Sequence, residues 1–252
     1  MKLLLISNST NPGENYLEWT LPFIKDFLKK NDVKSALFVP YAGVNVQNPK
    51  TLKESYDNYT SRVQGVFANN KFSVTLTSVH NEANPVEAVN KAECVIVGGG
   101  NTFHLVYELH RNRLMYAIRQ RALDGMPYIG WSAGSNVACP TLRTTNDMPI
   151  IEPVSFDCMN LVPFQINPHY LDTDKHPKDF GGETREDRLN EFLSVNKNVT
   201  IIGLRESSLL EVNVNAMELK AKKGIEHGIR VFRYGTDPVE VGQGDVSRFL
   251  GY

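Results

Sequence analysis

Short apolar runs without polar alternation recur along the first half of the chain, at residues 3–6, 36–39, 74–79 and 94–97, the third less pure than the others. A strand covered on one face alternates apolar with polar; a strand covered on both faces does not, so these runs predict buried strands of a parallel sheet. Between the first two, Leu17, Leu21, Ile24 and Leu28 recur at the i, i+4, i+7, i+11 spacing that lays one helical stripe against a sheet. Pro22 falls inside that stripe and either kinks the helix or marks a later start. Residues 51–67 are polar and weakly periodic but occupy the place of a crossover helix, and residues 103–123 read as two helices. This alternation predicts an α/β fold with a doubly wound, mostly parallel sheet, helices on both faces and right-handed crossovers. Ligands in such folds lie beyond the carboxyl ends of the strands, so the loops that follow strands carry the chemistry.

Past residue 148 the pattern changes. Pro149, Pro153, Pro163 and Pro168 interrupt short apolar pieces, residues 183–193 read as a short helix, and residues 199–204, 209–214 and 230–232 read as strands, the last of them in hairpins. A mixed C-terminal extension of the same sheet is expected. Residues 176–182, with Pro177 and the Gly181-Gly182 pair, read as a mobile loop close to the chemistry. The 252 residues are expected to form one domain, residues 1–252, since α/β folds of this length commonly stay undivided.

Charge narrows the partners. Twenty-seven basic residues against 28 acidic ones leave a net charge of -1, with no electrostatic footprint for nucleic acid or an anionic membrane; a small molecule or another protein is the expected partner. Cys94, Cys139 and Cys158 stand in unrelated contexts without Cys-x-x-Cys spacing, which fits reduced thiols in a cytoplasmic protein and offers no zinc site. The apolar start ends at Ser7-Asn8, too short for a signal peptide, and no later run reaches membrane-spanning length. Nothing in the pattern forbids a homodimer.

Gly130-Trp131-Ser132-Ala133-Gly134 follows the apolar Tyr128-Ile129 and precedes the helix-compatible Asn136-Val137-Ala138. A Gly-x-Ser-x-Gly pentapeptide alone is compatible with an ordinary loop. Between a strand and a helix it predicts a sharp turn that lifts the serine above the sheet edge, a geometry suited to attack on a carbonyl. Such a serine needs a base, an orienting acid and donors for an oxyanion. Of His80, His104, His110, His169, His176 and His227, the first ends a predicted strand and the next two lie on a polar-mixed helix, where structural roles suffice. His169 differs: it stands in Gln165-Ile166-Asn167-Pro168-His169-Tyr170, where an apolar strand is expected to stop at the proline and turn, fixing the imidazole at a strand end. The N–H of Ala133 is the expected first oxyanion donor. Gly98-Gly99-Gly100-Asn101-Thr102, after a buried strand and before a helix, can supply the second from Gly99 or Gly100 with no side chain intervening. A phosphate cradle is the competing reading, but the loop lacks the Gly-Lys-Ser/Thr ending of a P-loop and the Gly-x-Gly-x-x-Gly spacing of a dinucleotide site.

Val97-Gly98-Gly99-Gly100-Asn101-Thr102-Phe103, Gly130-Trp131-Ser132-Ala133-Gly134, Thr144-Thr145-Asn146-Asp147-Met148-Pro149, Ile166-Asn167-Pro168-His169 and Gly182-Glu183-Thr184-Arg185 resemble, in order, segments of the peptidase E family of α-aspartyl dipeptidases. The opening Leu4-Leu5-Ile6-Ser7-Asn8-Ser9-Thr10 is similar too, so the resemblance covers nearly the whole chain and thins after about residue 212. It implies a flavodoxin-like sheet related to that of class I glutamine amidotransferases, with serine in place of their cysteine nucleophile. It also implies hydrolysis of the peptide bond after an N-terminal aspartate in Asp-X dipeptides, without metal or cofactor. By position it makes Ser132 the nucleophile and His169 the base.

For the acid the resemblance offers two residues, Asp147 and the Glu206 of Ile202-Gly203-Leu204-Arg205-Glu206. Glu206 follows a buried strand and can be presented from a sheet edge, whereas a cap or turn role explains Asp147 equally well, so Glu206 is favoured. Arg205 stands where many family members carry proline. Selectivity for aspartate asks for a cation near the scissile bond, because an unpaired buried carboxylate is costly and arginine holds it in a bidentate fork. Arg185 is the first candidate and Arg143 the second; each could instead make a surface ion pair. The expected function is a serine dipeptidase acting through an acyl-enzyme on Ser132. A cyanophycinase-like or isoaspartyl hydrolase is the nearby alternative, and a catalytically silent protein holding a small anion on its glycine loop is the alternative of a different class.

Overall fold

The computed structural model describes residues 1–172, 181–214, 216–226 and 228–251; most of the predicted loop at 176–182, with His176, and also His227, lie outside them. Strands β1 (Lys2–Ile6), β2 (Ser35–Val39), β3 (Thr75–Ser78), β4 (Val95–Val97) and β5 (Tyr128–Trp131) pair in parallel in the order β3-β2-β4-β5-β1. Helices α1 (Leu21–Lys30), α2 (Leu52–Asn69), α3 (Pro85–Lys91), α4 (Thr102–Arg111) and α5 (Leu114–Leu123) lie between them in sequence. Side chains of a strand point alternately to its two faces. Leu4 and Ile6 accordingly join a core with Ile24, Phe27 and Leu28 of α1, while Leu3 and Leu5 join one with Leu105 and Leu109 of α4 and Ile118 of α5.

The helix boundaries follow local chemistry. Pro22 sits in the first turn of α1, where its missing N–H has no partner to lose, so it starts the helix instead of kinking it. Thr51 caps α2 by accepting the Glu54 N–H at 3.1 Å, which fixes the start of a helix whose apolar stripe is weak. Arg113, at φ 58°, breaks the 103–123 segment into two helices.

The second half of the chain comprises α6 (Ala133–Asn136), β6 (Gln165–Tyr170), α7 (Arg185–Val195), β7 (Thr200–Arg205), β8 (Ser208–Asn213), β9 (Ala216–Ala221), β10 (Ile229–Arg233), β11 (Val239–Val241), β12 (Gly244–Asp245) and α8 (Ser247–Leu250). The extension expected on one sheet is divided between two. β8, β9 and β12 continue the main sheet antiparallel beyond β1, while β11-β10-β7-β6 forms a second sheet of four strands. The reason is that β7 is covered on both faces: Ile202 and Leu204 enter the main core, and Ile201 packs with Leu189 and Leu193 of α7. The strand expected to stop at Pro168 runs on to Tyr170. β6 is the edge of its sheet, where a proline breaks no ladder bond, and the register shifts between Pro168 and Tyr170 with His169 at φ 53°. Among the described residues no helix is long and apolar enough to cross a membrane.

Candidate active site

Ser132 leaves the central strand β5 at φ 53°, ψ −110°, a strained conformation costing on the order of 1–3 kcal/mol. Its surroundings hold it there. The Ser132 N–H donates to Ile6 O at 3.0 Å, the Ser135 hydroxyl reaches Ile6 O at 2.7 Å and Gly130 O at 3.0 Å, and the Tyr128 hydroxyl donates to Gly134 O at 2.6 Å. A Cβ on Gly130 would stand 2.4 Å from Gly134 O, and one on Gly134 would stand 2.3 Å from Val97 O, so both glycines are steric requirements of the turn.

His169 lies between Ser132 and Glu206: its Nε2 is 2.9 Å from Ser132 Oγ and its Nδ1 is 2.6 Å from Glu206 Oε1. The bulge in β6 aims the ring, and the His169 N–H donates to Ser7 Oγ at 2.9 Å while that hydroxyl donates to Leu204 O at 2.8 Å, pinning β6 and β7 to the end of β1. Glu206 occupies the turn between β7 and β8, where the chain passes from one sheet to the other; Asn8 Oδ1 accepts the next N–H, of Ser207, at 2.8 Å. The hydrogen bond from His169 holds the Glu206 carboxyl below the usual carboxylate range, against the opposing pull of burial.

The glycine loop abuts the serine. A Cβ on Gly99 would meet Ser132 Cβ at 3.0 Å, and Gly100, at φ 136°, lies so close to Ala42 that a Cβ would stand 2.2 Å from its carbonyl oxygen. Among the described residues the N–H groups of Gly99 and Gly100 donate to no partner, and that of Ala133 opens α6, where first-turn donors lack helical acceptors. Asp147 borders the same cleft, but its Oδ2 is engaged by the Thr102 N–H at 2.7 Å, the Thr102 hydroxyl at 2.6 Å and the Thr145 hydroxyl at 3.0 Å. It therefore caps α4 beside the glycine loop, and Nδ1 of His169 is taken by Glu206 instead.

The two candidate arginines separate. Arg185 is partly buried and donates to Asn146 Oδ1 at 2.6 Å; Asn146 in turn donates to Pro168 O at 2.6 Å, and Arg185, His169 and Glu206 line one cavity of about 310 Å³. Burial, and then Arg188, lower the Arg185 pKa from its usual value, a pressure that an anionic neighbour would relieve. Arg143 is exposed, bonds Asn196 Oδ1 at 3.1 Å and lies over the Phe192 ring of α7, away from the cleft. Unlike Arg185, it lines neither of the two cavities that contain His169. Arg205, next to Glu206, is buried and paired with Asp172 and Glu240, so its charge is compensated where it stands.

A cleft of about 450 Å³ opens in front of Ser132, lined also by Tyr16, Tyr59 and Arg62, residues that no motif in the sequence marks. The i, i+3 spacing of Tyr59 and Arg62 is the one local trace of them. Of the other histidines, His80 bonds Ser78 and Asp57, His104 bonds Tyr41 O, and His110 bonds Asp157 O. Among the described residues no group of three His, Cys, Asp or Glu side chains is placed to hold a metal.

A doubly wound sheet whose central strand ends in a strained serine, aligned with a histidine and a carboxylate, is the architecture of a serine hydrolase. The model of Peptidase family S51 matches residues 3–220. The chain is 43% identical over 249 residues to Peptidase E of Nostoc sp., covering 99% of this chain and 96% of that protein. It is 43% identical over 244 residues to Peptidase E of Salmonella typhimurium, covering 97% and 99%. A crystal structure of a peptidase from an acI-B1 Actinobacterium has the same fold, with a TM-score of 0.60 at 15% identity over 95% of this chain and 96% of that one. The chain belongs to peptidase family S51 and is a hydrolase of peptide bonds.

Proposed function

We propose that this member of family S51 is a serine dipeptidase that cleaves the bond after an N-terminal aspartate, mainly in Asp-X dipeptides, through an acyl-enzyme on Ser132. The observation that carries the reading is the unbroken line from Ser132 Oγ through His169 to Glu206 Oε1 at the carboxyl edge of the sheet. With the Nδ1 proton donated to Glu206, Nε2 is left to accept from the Ser132 hydroxyl. Ser132 Oγ attacks the aspartyl carbonyl carbon as Nε2 takes its proton, and the N–H groups of Ala133 and of Gly99 or Gly100 meet the oxyanion. Collapse breaks the C–N bond, and the proton on Nε2 passes to the leaving amine. Water, deprotonated by the same nitrogen, then cleaves the ester and frees aspartate. Glu206 orients the imidazole and offsets its positive charge; Asp147 acts indirectly, by positioning the glycine loop through α4.

Arg185 is the cation we assign to the aspartate side chain, because a partly desolvated guanidinium beside His169 favours an anion strongly over a neutral isostere. Three buried thiols without disulfides support a cytoplasmic location. The test is release of free aspartate from α-Asp-Leu, beside Glu-Leu and isoAsp-Leu, by wild type and Ser132→Ala. Turnover of α-Asp-Leu alone, abolished in the variant, is expected. Turnover of isoAsp-Leu instead would redirect the reading to side-chain linkages, and activity surviving in Ser132→Ala would remove Ser132 as nucleophile.

A further inference from the structure

Arg62 has no part in the mechanism above, yet it lines the cleft in front of Ser132. Its guanidinium lies 3.9 Å from the centroid of the Tyr16 ring. That ring is fixed: the Tyr16 and Tyr59 hydroxyls are 2.9 Å apart, Trp131 Nε1 donates to both at 3.1 Å, and the Tyr59 hydroxyl donates to Gly99 O at 2.9 Å. Burial, then Tyr59, pushes the Tyr16 phenol well above its ordinary pKa, so the platform stays neutral. The guanidinium is thus tied through Trp131 and Gly99 to the frame of the nucleophile. Among the described residues no carboxylate stands within ion-pair distance of it, whereas Arg205, on the cavity beside His169, is paired with Asp172 and Glu240.

We propose that Arg62 holds the C-terminal carboxylate of the dipeptide and so sets the length of the substrate; the inference rests on the dipeptidase reading. An Asp-X dipeptide presents two carboxylates, one on its first side chain and one at its end. Two arginines stand in separate cavities that share His169: Arg185, partly buried, and Arg62, exposed at the rim. The side-chain carboxylate is the group that must be told from its amide, and a desolvated guanidinium does that best. The terminal carboxylate is common to every Asp-X, so a rim cation suffices. Stacking on Tyr16 occupies the face of the guanidinium and leaves its edge N–H groups for a bidentate fork. A longer peptide would bring a neutral amide to that fork and would have to pass Arg62.

The experiment compares kcat/KM for Asp-Leu, Asp-Leu-amide and Asn-Leu in wild type, Arg62→Ala, Arg62→Lys and Arg185→Ala. Arg62 is exposed and makes no ion pair among the described residues, so its replacement leaves folding intact, which circular dichroism verifies. Wild type should prefer Asp-Leu to its amide by about 10- to 100-fold, the yield of one charge-assisted fork. Arg62→Ala should collapse that ratio to about one and Arg62→Lys should restore part of it, whereas Arg185→Ala should collapse the Asp-Leu to Asn-Leu ratio instead. An acid-to-amide ratio in Arg62→Ala equal to that of wild type overturns the proposal. Failure of the aspartyl reading registers elsewhere, as a wild type without preference for Asp-Leu over Asn-Leu, and the acid-to-amide ratio is then read on the dipeptide that is cleaved.

Discussion

Replacing Glu206 with glutamine keeps the size of the side chain and removes the charge facing His169 Nδ1, 2.6 Å away. The lost charge-assisted hydrogen bond is worth about 1.5–3 kcal/mol, or roughly 10- to 150-fold in rate. Glutamine can also turn its NH2 toward Nδ1, which moves the ring proton to Nε2 and leaves Ser132 without an acceptor; at a buried triad acid that inversion costs about 10,000-fold. The Glu206 side chain is 48% exposed, so water shares its charge and the expected loss falls between the two, about 100- to 1,000-fold in kcat. The contrast is Asp147→Ala, which removes the acceptor of three bonds at the start of α4. It should lower stability by about 1–3 kcal/mol while kcat falls less than about 10-fold. Initial rates on Asp-Leu, corrected for the folded fraction from denaturant curves, decide the matter. A kcat loss in Asp147→Ala equal to or larger than that in Glu206→Gln would refute the assignment of the orienting acid.

Gly134→Ala drives a Cβ to 2.3 Å from the Val97 carbonyl, so β4 and the elbow must separate; an unfolding free energy lower by about 1–3 kcal/mol is expected, and an unchanged urea midpoint would contradict the packing. Because the folded-state pKa of Glu206 is depressed, its contribution to stability is present above its unfolded value of about 4.3 and is lost as pH falls through the folded value. Denaturant curves should therefore show a gap between wild type and Glu206→Gln that closes in acid, and a gap that widens there would reverse the sign of the argument. Burial pushes the Cys139 thiol up to about 12 and raises Cys94 and Cys158 as well, so a thiol reagent at pH 8 should label none of the three rapidly until the protein is unfolded. Arg143→Ala, on the α7 side, should hold kcat/KM within about twofold of wild type and cost under about 1 kcal/mol.

Strands β1, β2 and β4 are visible in the sequence because a strand buried on both faces needs an unbroken apolar run, and burial is a property that each residue carries locally; β3, at the sheet edge, instead alternates exposed and buried positions, which is why its run is less pure. The serine turn is visible for a similar reason: residues 130 and 134 must be small wherever backbone crosses backbone at 2.3–2.4 Å from a would-be Cβ. The partners of those elements are not local. Residues 209–214 read as a strand in any sheet; only the open edge of β1 decided that β8 pairs there while β7 turns into a second sheet. His169 and Glu206 come from that second sheet and its exit turn, and Ser132 comes from the first. Asp147, plausible in sequence as an acid, was claimed by Thr102 and Thr145, and Arg62 reached the cleft through its seat on the Tyr16 ring. Chain pattern therefore determined which segments are buried and where the backbone bends sharply, since those depend on the residues themselves. Which side chains meet at Ser132 was decided by strand pairing across more than a hundred residues, a choice made by edges and packing that no window of sequence contains.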